Sequence, residues 1–141
     1  MADLYVSKEK KTNNLNNPSY QAYLLLLFSF TAIPILFGID KFFNFYTEWD
    51  KFLASQLNVL NDPNAMMIVV GMSEIIVGIG VWLYPKIFSY IVALWLAVII
   101  INLLILGHYY DIAINDFGLF LGALAFARLS QKYSPNKFGA I

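Results

Sequence analysis

Four long apolar stretches dominate this sequence, and each is close to the length needed to cross a lipid bilayer. A spanning helix needs ~20 mostly apolar residues, and the four stretches cover 20–45, 63–84, 87–108 and 112–129. With 60% hydrophobic and only 13% charged residues in a chain of 141, a soluble domain could not bury so much apolar surface. We therefore predict an all-α membrane protein in which residues 20–129 form a four-transmembrane-helix bundle.

The parts between and beyond these stretches are more polar. Residues 1–19 are predicted to be a flexible N-terminal tail and residues 130–141 a C-terminal tail. Asp62 followed by Pro63 is typical of a helix start, and Pro85 indicates a tight turn between the second and third helices.

The segment 47–61 is longer than a simple turn requires. Its large apolar residues recur at helical spacing; they are Trp49, Phe52, Leu53, Leu57 and Leu60. This period predicts a short amphipathic helix lying on the membrane surface after the first span, and an ordinary loop is the alternative.

Basic residues are unevenly divided between the two ends of the predicted bundle. With four spans, the end that carries both termini holds seven of the nine, namely Lys8, Lys10, Lys11, Lys86, Arg128, Lys132 and Lys137. The opposite end holds Lys41 and Lys51. Since positive charge is retained on the cytoplasmic side, both termini of this multi-pass protein are predicted to be cytoplasmic.

Several kinds of chemistry are absent from the sequence itself. There is no cysteine and a single histidine, His108, so neither thiol chemistry nor a self-contained zinc or haem site is expected. The net charge of zero indicates no nucleic-acid partner. We predict no metal and no intrinsic cofactor, and whether the chain is an enzyme stays open because no redox centre of its own is visible.

Polar residues of the predicted spans collect in one half of the bundle, opposite the termini. The candidate cluster, for substrate binding or for packing, comprises Asp40, Lys41, Glu74, Asn102, His108, Asn115 and Asp116. Ionisable groups in a membrane are costly, so each is a candidate for function. The alternatives are plainer: Asp40 and Lys41 could cap a helix, Asp116 could sit at a helix N-terminus, and His108 could lie at the interface.

Glu74 is the most informative single residue of this cluster. It shares one helix face with Gly71 and Gly78, and glycines allow another helix to approach closely. An unpaired carboxyl there would be protonated and could donate a hydrogen bond or relay a proton, whereas Lys41 could hold it ionised. The alternative is a carboxyl that only fixes helix packing. Gly118 and Gly122 are likewise predicted to be packing contacts.

Three short motifs resemble the DoxX family, in this order along the chain: Phe37-Gly38-Ile39-Asp40-Lys41-Phe42, Gly71-Met72-Ser73-Glu74-Ile75 and Asp116-Phe117-Gly118-Leu119. The resemblance spans most of the chain. It implies a small four-helix protein of the bacterial inner membrane. Some members are linked to thiosulfate:quinone oxidoreduction, and others to membrane-associated redox complexes. Many members have Arg-Asp before the last helix where this chain has Asn115-Asp116, which argues against an anionic substrate.

Three functions follow as hypotheses. The first is an accessory or quinone- or lipid-interacting subunit of a membrane-bound redox complex, with a quinone or lipid bound at the polar cluster and electrons supplied by a partner. The second is a purely structural subunit that stabilises a larger membrane complex or a homo-oligomer. The third, ranked lowest, is a proton- or ion-coupled transporter.

Overall fold

The computed structural model describes residues 15–135 and contains four long α-helices. They are α1 (Pro18–Phe43), α2 (Pro63–Leu83), α3 (Pro85–Leu106) and α4 (Tyr110–Tyr133). All four are long and apolar enough to cross a membrane. The prediction of an all-α, four-helix, multi-pass membrane protein is therefore confirmed. Residues 1–14 and 136–141, with Lys8, Lys10, Lys11 and Lys137, lie outside the described residues.

The helix boundaries follow from recognisable capping residues. Asn17 caps α1 by accepting a hydrogen bond from the Ser19 amide at 3.0 Å, and Asp62 caps α2 by accepting from the amides of Asn64 and Ala65. Gly107 ends α3 with φ at +75°, a conformation that glycine adopts without strain. The helix α4 continues to Tyr133, four residues beyond the predicted end at 129, so the predicted C-terminal tail is partly helical.

The four helices run up and down. We call the end with the start of α1 and the end of α4 the terminal end, and the opposite end the loop end. The most extensive contacts join α1 to α2 and α3 to α4, and α1 also packs on α4. Aromatic rings fill the α1–α4 contact, where Tyr23 and Phe30 stack on Phe126 at centroid distances of 5.9 and 5.7 Å.

The segment between α1 and α2, residues 44–62, is here called the capping segment, and it corrects one prediction. In place of a continuous amphipathic helix over 47–61, it forms two short 3₁₀ turns, Trp49–Phe52 and Ser55–Leu57. Side chains of the long helices form hydrogen bonds with several of its backbone groups. Asp40 accepts from the amides of Phe45 and Tyr46. These bonds replace the regular i→i−4 pattern that an α-helix would need.

The packing of the two glycines of α4, Gly118 and Gly122, also differs from the prediction. A Cβ atom placed on Gly118 would meet nothing within 4 Å among the described residues, and one on Gly122 would make only an ordinary 3.8 Å contact with Phe30. The packing role predicted for Gly118 is therefore wrong within this chain, and Gly122 makes no close approach. The fully buried small residues of α4 are Ala123, Ala127 and Ser130, which lie on a different face of the helix.

Candidate functional site

Two charged side chains from different helices form an ion pair inside the loop half of the bundle. Lys41 Nζ on α1 lies 2.7 Å from Glu74 Oε2 on α2. The two residues are only 7% and 9% exposed. A charge in such a place is costly unless it is paired and hydrogen-bonded. Of the two states considered for Glu74, the geometry favours the ionised carboxylate held by Lys41.

The pair forms because glycines bring α1 and α2 unusually close. A Cβ atom on Gly38 would lie 2.6 Å from the Gly71 carbonyl oxygen, and one on Gly71 would lie 2.7 Å from the Gly38 carbonyl oxygen. Further along α2, a Cβ on Gly78 would lie 2.8 Å from the Thr31 carbonyl oxygen. Gly71 and Gly78 thus occupy close-packing positions on α2, opposite Gly38 and Thr31 of α1, respectively. At the Gly38–Gly71 crossing the backbones are near enough for Lys41 to reach across to Glu74.

Trp49 of the capping segment covers the ion pair. Lys41 Nζ lies 3.8 Å from the centre of the Trp49 ring, a distance at which the ring face attracts a cation. Trp49 is itself held in place, because its indole N–H donates to Asp40 Oδ2 at 2.8 Å. Asp40 therefore binds the indole N–H at the edge of the Trp49 ring, and the adjacent Lys41 contacts the face of the same ring.

Asn102 on α3 ties the capping segment to the other half of the bundle. Its side-chain oxygen accepts from the Ala54 amide at 2.8 Å, and its side-chain nitrogen donates to the Phe52 carbonyl oxygen. The Phe52 ring also meets Tyr109 edge-on, with centroids 4.9 Å apart. The capping segment is thus fastened on both sides, by Asp40 of α1 and by Asn102 of α3.

Trp95 brings α3 to the same site. Its indole N–H lies near the Glu74 carboxyl group, although it makes no hydrogen bond of standard geometry within residues 15–135. Trp95 lies seven residues before Asn102, so both side chains project from one face of α3. This spacing from Asn102 is the only sequence feature that relates Trp95 to the site. No pattern in the sequence predicts that Trp49 packs over the ion pair.

The predicted cluster is therefore split by the structure. Asp40, Lys41, Glu74 and Asn102 are brought together, directly or through the capping segment. His108 and Asn115 are exposed, and Asp116 is half-buried without a hydrogen bond or ion pair to the rest of residues 15–135. These three residues do not join the ion pair.

The polar side chains of this site are already bonded within the protein, which leaves few groups for a ligand. A quinone needs hydrogen-bond donors for its carbonyl oxygens, but the Lys41 ammonium is already engaged by Glu74 and Trp49. The Asn102 amide is engaged by backbone groups. In the part of the chain that the structure describes, no group of three or more His, Cys, Asp or Glu side chains could hold a metal ion.

Removal of the Asn102 side chain is expected to loosen the capping segment. Asn102→Ala deletes both bonds to the Phe52 and Ala54 backbone and leaves those groups unsatisfied, at a cost of about 1–3 kcal/mol. Limited proteolysis of the detergent-solubilised protein should then cut within residues 44–62 faster than in wild type. Asn115→Ala, which removes an exposed amide, is the matched control. Equal cleavage rates in the two variants would contradict the fastening role.

Comparison of the chain with known protein families, curated proteins and solved structures found no match. The resemblance to the DoxX family therefore stays a prediction that rests on the three motifs. What is established is a four-helix, multi-pass membrane protein with a covered ion pair between α1 and α2.

Proposed function

We propose that this protein is an accessory subunit of a larger membrane complex, in which the polar cluster holds the bundle and the capping segment in one shape. The observation that carries the proposal is the closure of the Lys41–Glu74 pair under Trp49. Lys41 binds Glu74 across α1 and α2, and Asp40 and Asn102 bind the capping segment, so these four side chains are engaged within the chain instead of lining an open site. This arrangement favours the structural hypothesis over the quinone-binding and transport hypotheses.

The capping segment offers the surface that such a subunit would use for docking. Phe45 is 87% exposed, Tyr46 76% and Val59 78%, although all three are large apolar or aromatic residues. Exposed aromatic residues on a rigid frame are typical of protein interfaces, and the hydrogen bonds from Asp40 hold the Phe45–Tyr46 backbone in place. The partner that fits this surface is a membrane protein that presents an apolar face on the same side of the bilayer.

The membrane and the orientation belong to the same proposal. The basic residues Lys86, Arg128 and Lys132 lie at the terminal end, which supports an arrangement with that end in the cytoplasm. A bacterial inner membrane and a redox complex as the larger assembly are what the DoxX resemblance implies.

The proposal is tested by purification of the tagged chain from its native membranes in mild detergent, with and without changes on the docking surface. Phe45→Ser/Val59→Ser should leave the bundle folded, because both side chains are exposed, but should reduce the co-purifying partner by about tenfold or more. Trp82→Ser, which alters a 58% exposed aromatic residue at the terminal end, is the matched control and should retain the partner.

Two results would contradict this proposal. One is a wild-type chain that purifies without any stoichiometric protein partner. The other is a partner that stays bound to Phe45→Ser/Val59→Ser as well as it does to wild type. A quinone that co-purifies in stoichiometric amount with an otherwise isolated chain would favour the quinone-binding hypothesis instead.

A further inference from the structure

Acidic side chains are unevenly distributed along the bundle axis. The seven carboxylate residues between 15 and 135 all lie at the loop end or near the middle of a helix: Asp40, Glu48, Asp50, Asp62, Glu74, Asp111 and Asp116. The terminal end of the described chain has no carboxylate side chain, and it carries two exposed cations on α4, Arg128 and Lys132. Arg128 and Lys132 are here called the basic rim. No acidic side chain of residues 15–135 lies at the terminal end to offset the charges of Arg128 and Lys132.

The basic rim lies on α4, next to the start of α3. Gln131 Nε2 donates to the Lys86 carbonyl oxygen at 3.2 Å, which joins the first turn of α3 to the last turns of α4. Arg128, Gln131 and Lys132 are spaced i, i+3 and i+4, so they share one face of α4. Both Arg128 and Lys132 are exposed. The two cationic groups therefore lie on the outer surface of the bundle, beside the start of α3.

Aromatic residues place the basic rim at the level of the lipid headgroups. Trp82 in the last turn of α2 is 58% exposed, and Tyr90 in the second turn of α3 is 42% exposed. Exposed Trp and Tyr at the ends of spanning helices lie at the membrane–water interface. Lysine and arginine side chains next to that level reach the phosphate groups.

We propose that the basic rim binds the phosphate headgroup of an anionic phospholipid. An arginine guanidinium can bind a phosphate through two parallel hydrogen bonds, and lysine adds a point charge. Basic groups between membrane helices at this level are suited to acidic headgroups. The site is independent of the ion pair at the loop end and of the docking surface, so it neither requires nor excludes a protein partner.

The test compares lipids on the purified full chain. Native mass spectrometry of wild type in mixed phosphatidylglycerol and phosphatidylcholine should show preferential retention of phosphatidylglycerol. Arg128→Gln/Lys132→Gln should lower that preference by about thirtyfold, since each of the two basic groups near an anionic surface contributes about 1 kcal/mol. Lys51→Gln, which removes an exposed lysine at the loop end, should leave the preference unchanged.

Thermal unfolding in nanodiscs gives a second readout on the same proteins. Phosphatidylglycerol should raise the unfolding temperature of wild type and of Lys51→Gln, but not that of Arg128→Gln/Lys132→Gln. Equal retention of the two lipids by wild type, or an unchanged preference in the double variant, would overturn the proposal. So would stabilisation of the detergent-solubilised chain by inorganic phosphate to the same degree as by phosphatidylglycerol, because the site would then take free anions.

Discussion

Replacement of Glu74 by leucine should lower the free energy of unfolding by about 3–5 kcal/mol, because the change leaves the Lys41 ammonium buried without its counter-ion. Lys41 is 7% exposed and ion-paired to Glu74 at 2.7 Å, so water cannot replace the lost partner. Reversible unfolding in mixed micelles with increasing SDS measures this change. Lys41→Met should also be destabilising, because it leaves the Glu74 carboxylate unpaired.

The double variant Lys41→Met/Glu74→Leu should recover most of that loss. Well-packed apolar residues can replace a buried ion pair at little cost, so the double variant is expected to unfold within about 1 kcal/mol of wild type. Lys51→Met and Glu48→Leu change exposed charges at the same end and should each cost under about 0.5 kcal/mol. If the effects of Lys41→Met and Glu74→Leu simply add, the two side chains do not stabilise the bundle as a pair.

Alanine at Gly38 or Gly71 should cost about 1–3 kcal/mol, because the added methyl group meets backbone at a helix crossing. A Cβ on either glycine would lie within 2.7 Å of the other glycine's carbonyl oxygen, so α1 and α2 must move apart. Separation of the helices would also lengthen the Lys41–Glu74 contact, and Gly71→Val should therefore be worse than Gly71→Ala. The same SDS unfolding measurement applies, with Trp fluorescence as a readout of the altered cover over Lys41.

Gly118→Ala is the matched control for this prediction. Its Cβ would meet nothing within 4 Å in the described structure, and alanine is favoured over glycine inside a helix by about 0.5–1 kcal/mol. Gly118→Ala should therefore be neutral or slightly stabilising. An equal loss of stability in Gly38→Ala and Gly118→Ala would contradict the assignment of the close crossing to α1 and α2.

The sequence was informative where a physical requirement acts on a continuous stretch of chain. Every backbone N–H and C=O group in a bilayer needs a hydrogen-bond partner, so a stretch of ~20 apolar residues reliably predicts a helix. All four spans are predicted in this way. The start of α2 followed from Asp62-Pro63, whereas α3 begins at Pro85 itself, two residues before the predicted start at 87. The sequence also identifies Glu74 as informative, because an acidic side chain between glycines on one helix face must point toward a neighbouring helix. Lys41 is one of the partners that the sequence offers for it.

Features that depend on long-range contacts could not be predicted. The apolar period of 47–61 suggested an α-helix, but Asp40 and Asn102 bind nearby backbone and hold the segment in 3₁₀ turns. Gly118 and Gly122 matched a packing motif, yet α4 rotates so that Ala123 and Ala127 face the core. A motif spacing defines a face of a helix but does not say which face is buried.

We propose that the Lys41–Glu74 pair shapes the bundle and takes no part in chemistry or transport. The most direct test of this proposal is to express Lys41→Met/Glu74→Leu in cells that lack the wild-type chain and to isolate the complex from their membranes. We expect the double variant to assemble with the same partner at wild-type stoichiometry and to support the activity of the isolated complex at the wild-type level. A folded double variant that assembles normally but abolishes that activity would show that the ion pair takes part in the activity, against this proposal.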